Sequence, residues 1–157
     1  MRLVIKFACV MTIMLLTPNY FSQNMFSYFT IATANAVLPQ VIEKFKNLQK
    51  QKQEVLKLET ELNTQMSASF NFADYVVLKQ RLNSAVTKFY ESIEDLENTG
   101  VVLKSVEEGL LDFPSKRFDE EVWLCWKEGE KEIKFWHEKD VGFMGRKPVS
   151  VSDESLV

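Results

Sequence analysis

The ten residues "LENTGVVLKS", Leu96–Ser105, mark the point at which the chain changes its hydrophobic period. Before Gly100, apolar residues recur at alternating steps of three and four, which is typical of a helix face. After Gly100, short runs of β-branched, aliphatic and aromatic residues alternate with turn-like segments, which is typical of strands. We expect Gly100 to end the helix as its C′ residue, because glycine readily adopts the left-handed conformation found there. The sequence therefore predicts an α+β fold, with helices first and a sheet second.

Upstream of this boundary, the pattern predicts a helix that begins after Asn71. Asn71 is a favourable N-cap residue, and Asp74 lies in the first turn, where a negative charge suits the positive helix end. The alternating spacing of the apolar residues is also typical of a coiled coil. The residues of this stripe are Tyr75, Leu78, Leu82, Val86, Phe89, Ile93 and Leu96.

A longer helix is predicted before it. Thr33 is a candidate N-cap, and Pro39 is expected to end a short first turn, after which the helix restarts with Pro39 in its own first turn. The end is predicted between Leu62 and Met66. The apolar stripe comprises Val41, Ile42, Phe45, Leu48, Val55, Leu58 and Leu62.

The order of charges predicts that these helices are antiparallel. The first helix is basic in its first half and acidic in its second half, whereas the second helix has the opposite order. With a turn near Ser69, Lys44 is expected to face Glu94, and Glu59 is expected to face Lys79. Each exposed pair contributes under about 1 kcal/mol, so the pairs indicate orientation more than stability.

Four short strands are predicted after Gly100, in "VVLKS" (101–105), "GLLDF" (109–113), "EVWLCW" (121–126) and "IKFWHE" (133–138). The segments between them, including "PSKRFDE" (114–120), are turn-like. The fold class is thus a long antiparallel two-helix hairpin (34–99) followed by a small antiparallel β-meander (101–148). Both belong to a single domain, 25–148, with a polar tail at 149–157.

Residues 1–24 contain a basic start and an apolar run from Phe7 to Leu16, as in a secretory signal. No small-residue cleavage site follows, and the run is short for a membrane span. Three interpretations stay open: a misassigned extension with Met25 as the start, an uncleaved membrane anchor, or a cleaved signal. The protein is accordingly expected to be cytoplasmic, or membrane-associated if residues 1–24 are retained as an anchor.

Composition excludes several classes of function. The chain of 157 residues has a formal charge of −3 and no long basic run, so no nucleic-acid partner is expected. Its two cysteines, Cys9 and Cys125, have no zinc-ligand spacing, and Cys125 lies in an apolar run as a buried free thiol, which favours a reducing compartment. No nucleotide-binding glycine motif or nucleophile elbow is present, and the sequence identifies no cofactor.

Several motifs carry a family resemblance: "YFTIATANAVLP" (28–39), "GLLDFP" (109–114), "LCWKEGE" (124–130), "FWHE" (135–138) and "GFMGRKP" (142–148). On these motifs the chain resembles an uncharacterised prokaryotic family known as domain of unknown function 2203. The resemblance covers roughly residues 26–148. It implies a helical hairpin followed by a β-region, and it implies no activity.

Asp112, His137 and Arg146 are the candidate site residues. Asp112 interrupts an apolar run and must be paired if it is buried, with His137, with Arg146 or with backbone donors. His137 continues the row of Ile133 and Phe135, and histidine titrates near the pH of proton transfer. We expect Asp112 and His137 to form a structural contact rather than a catalytic pair. Arg146, between two glycines and a proline, could clamp an anion.

The aromatic and remaining polar residues are weaker candidates. Trp126 and Trp136 could line a ligand site beside Arg146, although a place in the core is favoured. Cys125 is expected to be inert, and Glu130 is expected to be solvated. His137, Asp140 and Asp112 could supply metal ligands, but nothing in their spacing requires a metal and no metal site is predicted.

Two classes of function follow, and whether the protein is an enzyme stays open. The first is a non-enzymatic interaction or assembly module that forms a homodimer or a larger assembly, because one hairpin covers only one face of the sheet. The alternative is a small-ligand or catalytic site built from Asp112, His137 and Arg146 beside the two tryptophans. Convergence of the three polar side chains on an open pocket favours the second class.

Overall fold

Two helices and then five strands follow one another in the computed structural model, which describes residues 28–68 and 71–149. The predictions for residues 1–24 and for the tail from residue 150 onward lie outside this described part of the chain. The helices and strands are α1 Ile31–Ala68, α2 Phe72–Glu97, β1 Val102–Ser105, β2 Leu110–Arg117, β3 Glu120–Lys127, β4 Phe135–Glu138 and β5 Lys147–Pro148, with a 3₁₀ turn at Phe143–Gly145 between β4 and β5.

Helix α1 begins at Ile31, three residues earlier than predicted, and Thr33 is not its N-cap. Instead, the side chain of each of Thr30 and Thr33 accepts a hydrogen bond from the backbone N–H of the other. Thr33 N–H donates to Thr30 Oγ1 at 3.0 Å, and Thr30 N–H donates to Thr33 Oγ1 at 2.9 Å. This reciprocal arrangement follows the logic of a capping box. It therefore fixes the start of the helix at the residue after Thr30.

The predicted interruption of α1 at Pro39 is wrong, since the helix runs through Pro39 without a break. Ala34, Leu38 and Val41 are buried on either side of it, and Pro39 itself is exposed. Packing of this face against the sheet and α2 thus outweighs the unfavourable helix propensity of proline. The same helix continues to Ala68, two residues beyond the predicted limit at Met66.

Helix α2 begins as predicted, because the Asn71 side chain accepts a hydrogen bond from Ala73 N–H at 2.9 Å. Its C-cap is Asn98, so Gly100 lies two residues beyond the cap instead of at C′. Gly100 has a φ of +91°, and an added Cβ would lie 3.2 Å from the Phe29 ring. Both the conformation and the contact require glycine at this position.

The antiparallel hairpin is confirmed by the contacts between the two helices. Lys44 forms an ion pair with Asp95 at 2.5 Å, so its partner is the residue after the predicted Glu94. Near the other end, Arg81 lies 3.8 Å from Glu61, whereas Glu59 and Lys79 had been expected to meet. In residues 28–68 and 71–149, no helix has both the length and the apolar character that a membrane span requires.

All five strands form one antiparallel sheet in the order β1-β2-β3-β4-β5, so the predicted meander is confirmed with one additional short strand. The segment 114–117 belongs to β2, not to a turn. Pro114 is tolerated there because β1 pairs with β2 only as far as Asp112. Beyond that point the Pro114 carbonyl accepts a hydrogen bond from Phe29 N–H at 2.7 Å.

The buried apolar residues form two separate clusters. The larger cluster lies between one face of the sheet and the part of the hairpin formed by the start of α1 and the end of α2. It includes Phe45, Leu96, Phe113, Leu124 and Trp126. The smaller cluster contains helix residues alone, and its buried members are Leu58, Leu62, Leu78, Leu82 and Ala85. The face of the sheet directed toward the helices is therefore the inner face, and the opposite face is the outer face.

Candidate functional site

The outer face of the sheet brings together three polar side chains from three adjacent strands. Asp112 of β2 lies opposite Cys125 of β3, and His137 of β4 lies opposite Trp123, two residues from Cys125. Their relative exposures are only 2%, 1% and 2%. One carboxylate oxygen, the thiol sulfur and one imidazole nitrogen all lie within 4.8 Å of one another. We call Asp112, Cys125 and His137 the outer-face cluster.

His137 is held in one tautomer by its own strand. Its Nδ1 lies 2.8 Å from the Glu138 carbonyl oxygen, and a carbonyl can only accept, so Nδ1 carries a hydrogen. Its Nε2 lies 3.3 Å from Asp112 Oδ2 but outside the directions of a hydrogen bond. Among the described residues this buried nitrogen has no hydrogen-bond partner.

Asp112 is the charged member of the cluster. Lys104 Nζ lies 3.7 Å from Asp112 Oδ2 and also lies over the Trp123 ring, 4.6 Å from its centroid. The predicted contact between Asp112 and His137 is thus present, and a lysine that the sequence did not single out is close to it. Lys104 is 42% exposed, so its charge is partly screened by solvent.

Burial, followed by the negative charge of Asp112, raises the pKa of the Cys125 thiol to about 12, and the Arg146 guanidinium opposes part of this change. The thiol is therefore protonated at neutral pH and does not act as a nucleophile. This agrees with the unreactive, buried thiol that the sequence predicts for Cys125.

Arg146 lies apart from Asp112 and forms a different ion pair. Its guanidinium Nη2 donates to both carboxylate oxygens of Glu130 at 2.8 Å and to the Cys125 carbonyl at 3.1 Å. The guanidinium also packs over the rings of Phe135 and Phe143, with its carbon 4.2 Å and 4.8 Å from their centroids. The expectation that Glu130 is solvated is wrong, and Arg146 fastens the segment before β5 to the sheet.

Neither Trp126 nor Trp136 lies beside the outer-face cluster. Both belong to the core on the inner face, and Trp126 Nε1 donates to the Glu130 carbonyl at 2.8 Å. The tryptophan on the outer face is Trp123, which strand alternation could have identified because it shares a face with Cys125. Asp140 is exposed and lies outside the cluster.

A small cavity of about 220 Å³ lies at one end of the outer face, between Tyr28, Pro114, Trp123 and Lys139. Tyr28 OH donates to Glu121 at 2.7 Å, and Lys139 donates to the same carboxylate at 2.6 Å. The Lys139 ammonium, followed by Tyr28, lowers the pKa of Glu121. Because these groups satisfy one another and the volume is below the roughly 300 Å³ of ordinary ligand pockets, the cavity does not indicate a metabolite site.

The geometry therefore separates the three residues proposed for a catalytic site. Asp112 and His137 meet, but Arg146 is bound to Glu130, and the first two are almost completely inaccessible to solvent. A general base must reach the proton that it removes from a substrate. Asp112 and His137 can hold a proton or a cation between them, but they do not reach a substrate from this position.

A family model described as "Uncharacterized conserved protein (DUF2203)" matches residues 27–149 of the chain. The chain belongs to the DUF2203 family. All the motifs quoted above for the resemblance, from Tyr28 to Pro148, lie within the matched range. No curated protein and no solved structure matches the chain. The DUF2203 match carries no assigned function, so the function has to be argued from the residues themselves.

Proposed function

We propose that this DUF2203 protein is a non-enzymatic interaction module that self-associates through the distal part of its hairpin. We call residues 55–68 of α1 and 72–86 of α2 the arm. The observation that carries the proposal is that the buried cluster of the arm contains residues from the two helices alone. A pair of helices buries one seam and leaves its other sides available for contact.

The arm extends past the sheet. The polar contacts of α1 with the β-region include those of Gln49 with Glu128 and of Lys52 with Glu107. The residues of the arm begin after these contacts, and residues 55–68 extend for about 21 Å at the helical rise of roughly 1.5 Å per residue. Four large apolar side chains of the arm are exposed: Leu56, Met66, Phe72 and Val77.

A second copy of the same chain is the partner that the charges favour. In an antiparallel alignment of two α1 helices centred between Val55 and Leu56, three of the five lysines of α1 in one copy lie at the height of a glutamate of the other. The pairs are Lys50 with Glu61, Lys57 with Glu54, and Lys52 with Glu59, although Lys52 also contacts Glu107 of its own chain. Such a two-fold arrangement of two hairpins is a four-helix bundle with coiled-coil packing.

The outer face of the sheet is a less suitable interface than the sequence suggested. Its central residues, including Cys125 and His137, are buried within a single chain. A second copy is therefore not needed to cover them. The buried free thiol also favours a reducing compartment, so we place the protein in the cytoplasm, with membrane association through residues 1–24 as the alternative.

Light scattering coupled to gel filtration tests the proposal on the full chain over a range of concentrations. We expect a monomer–dimer equilibrium that Leu56→Glu shifts toward the monomer, because a charge at the centre of the contact must be desolvated. Val141→Glu is the matched control, since Val141 is also apolar and exposed but lies in the β-region.

The two variants distinguish the arm from other surfaces. A dimer that persists in Leu56→Glu, or that is lost equally in Val141→Glu, would show that the arm is not the interface. A wild-type protein that remains monomeric at every concentration would refute self-association altogether.

A further inference from the structure

We propose that Asp112, Cys125 and His137 form a binding site for a divalent transition-metal ion, with zinc the ion that best fits their donor atoms. This site is independent of the arm and of self-association. The three donors come from adjacent strands β2, β3 and β4, which hold them on one rigid face. Donors placed on strands are positioned more accurately than donors placed on loops.

The orientation of His137 points to a cation. Since Nδ1–H donates to the Glu138 carbonyl, the Nε2 lone pair is directed away from that bond and toward the cluster. Ligating histidines commonly donate their other ring nitrogen to a backbone carbonyl, which fixes the tautomer in this way. The buried Nε2 otherwise has no hydrogen-bond partner among the described residues, although it lies 3.3 Å from a carboxylate oxygen. Two acceptors at this distance repel each other, and a cation bound between them removes the repulsion.

The donor atoms select the class of ion. Zinc is bound in proteins by cysteine sulfur, histidine nitrogen and aspartate oxygen, and all three types are present here. Magnesium and calcium prefer oxygen ligands, so a site with one thiol and one imidazole does not suit them. A divalent ion bound by a thiolate, a carboxylate and a neutral imidazole gives a site without net charge. Such a site is compatible with the burial of Cys125 and Asp112.

The distances are close to those of a tetrahedral site. Bonds of about 2.0–2.3 Å place tetrahedral ligand atoms about 3.3–3.8 Å apart. The Nε2–Oδ2 distance of 3.3 Å already fits, and the three donor atoms lie within 4.8 Å of one another. Side-chain rotation of Cys125 and Asp112 that moves their donor atoms by about 1 Å brings the separation of 4.8 Å down to the tetrahedral value.

Lys104 is a partly exposed side chain that contacts the cluster. Its ammonium is 3.7 Å from Asp112 Oδ2, and its side chain is 42% exposed. In the metal-free protein it offsets the charge of Asp112, and a bound cation must displace or repel it. This side of the cluster is the entry path, and a water molecule entering from it can serve as the fourth ligand. Lys104→Gln is therefore expected to bind metal more tightly than the wild type.

Titration with cobalt(II) under reducing conditions tests the site on the full chain. A cysteine thiolate bound to cobalt gives a charge-transfer band in the near ultraviolet. The two cysteines of the chain provide a matched pair, because Cys9 lies outside the described residues and Cys125 lies in the cluster. We expect the band at one cobalt per chain in the wild type and in Cys9→Ser, and its loss in Cys125→Ser.

The Cys9→Ser protein decides the question without any change in the cluster, since every thiolate band in it must come from Cys125. Absence of the band from that protein overturns the proposal. Zinc should displace cobalt and raise the melting temperature of Cys9→Ser, because a ligand of the native state stabilises it. In His137→Gln with a wild-type circular dichroism spectrum, cobalt affinity should fall by about tenfold or more. An unchanged affinity in that variant would also exclude the site.

Discussion

Replacement of Pro39 by alanine should stabilise the protein. Pro39 is the ninth residue of a helix that runs unbroken from Ile31 to Ala68, so it occupies an interior position. Alanine restores a backbone N–H that can donate to the Asn35 carbonyl, and it removes the clash of the proline ring with that carbonyl. Because Pro39 is exposed, the substitution leaves no cavity in the core.

The size of the effect follows from two opposing contributions. Proline in a helix interior costs about 3 kcal/mol relative to alanine. Proline also restricts the unfolded chain, which stabilises the native state by about 0.4–1 kcal/mol. The net gain in the free energy of unfolding is therefore about 2–2.5 kcal/mol. For a protein of this length, each kcal/mol raises the melting temperature by about 2–4 °C, so an increase of about 4–10 °C is expected.

Urea denaturation followed by circular dichroism at the helix band measures this change, with Gln40→Ala as the control. Gln40 is the next residue of the same helix and is also exposed, but its backbone N–H is already present. A gain confined to Pro39→Ala supports an unbroken α1. An unchanged or reduced free energy of unfolding in Pro39→Ala would instead mean that the helix is interrupted there, as the sequence pattern alone suggests.

Three further outcomes can be measured. Lys44→Glu should lower stability by under about 1 kcal/mol, and adding Asp95→Lys should restore it; a purely additive loss in a double-mutant cycle would argue against their pairing. Asp112→Ala in the presence of a chelator should cost about 1–3 kcal/mol in urea denaturation, since Lys104 loses its ion-pair partner and the buried Cys125 thiol loses the carboxylate that accepts its hydrogen bond, and no measurable loss would contradict those contacts. Burial raises the pKa of the Cys125 thiol from 9.0 to about 12, so the folded protein keeps the thiol proton at pH values where the unfolded chain loses it. The stability that comes from this difference is fully present below pH 9 and is lost as pH rises toward 12. Cys125→Ser should therefore lack this part of the alkaline decline in melting temperature.

The sequence predicts the elements better than their limits. Apolar period alone identifies both helices and the meander, and Asn71 marks the start of α2 as expected. Pro39 is misleading because the packing that holds α1 together comes from residues distant in the chain. Pro114 is misleading for a related reason, since its place in β2 depends on where β1 stops and on the hydrogen bond from Phe29.

The site is predicted in part. Strand alternation places Trp123 and Cys125 on one face, and the need to satisfy buried polar groups identifies Asp112 and His137 as partners. The sequence does not predict that Cys125 belongs to the outer-face cluster, because its position opposite Asp112 depends on the register of β2 against β3. That register is set by a turn at Phe118 and Asp119, both with positive φ, and no glycine in the turn signals it. The ion pair between Glu130 and Arg146 could not be predicted, because the position of Glu130 depends on the conformation of the loop between β3 and β4. The hydrophobic periodicity of the sequence gives no information about that loop.

The order of the strands bears on how the chain folds during synthesis. Each strand pairs with its neighbour in sequence, and the two helices are also consecutive, so these pairings close only short loops. Such local topology favours rapid folding and lets each element dock soon after it leaves the ribosome. The hydrogen bond from Phe29 to Pro114 is different, because its two residues are separated by both helices and β1. Attachment of the segment before α1 to the sheet must therefore wait until β2 has been made.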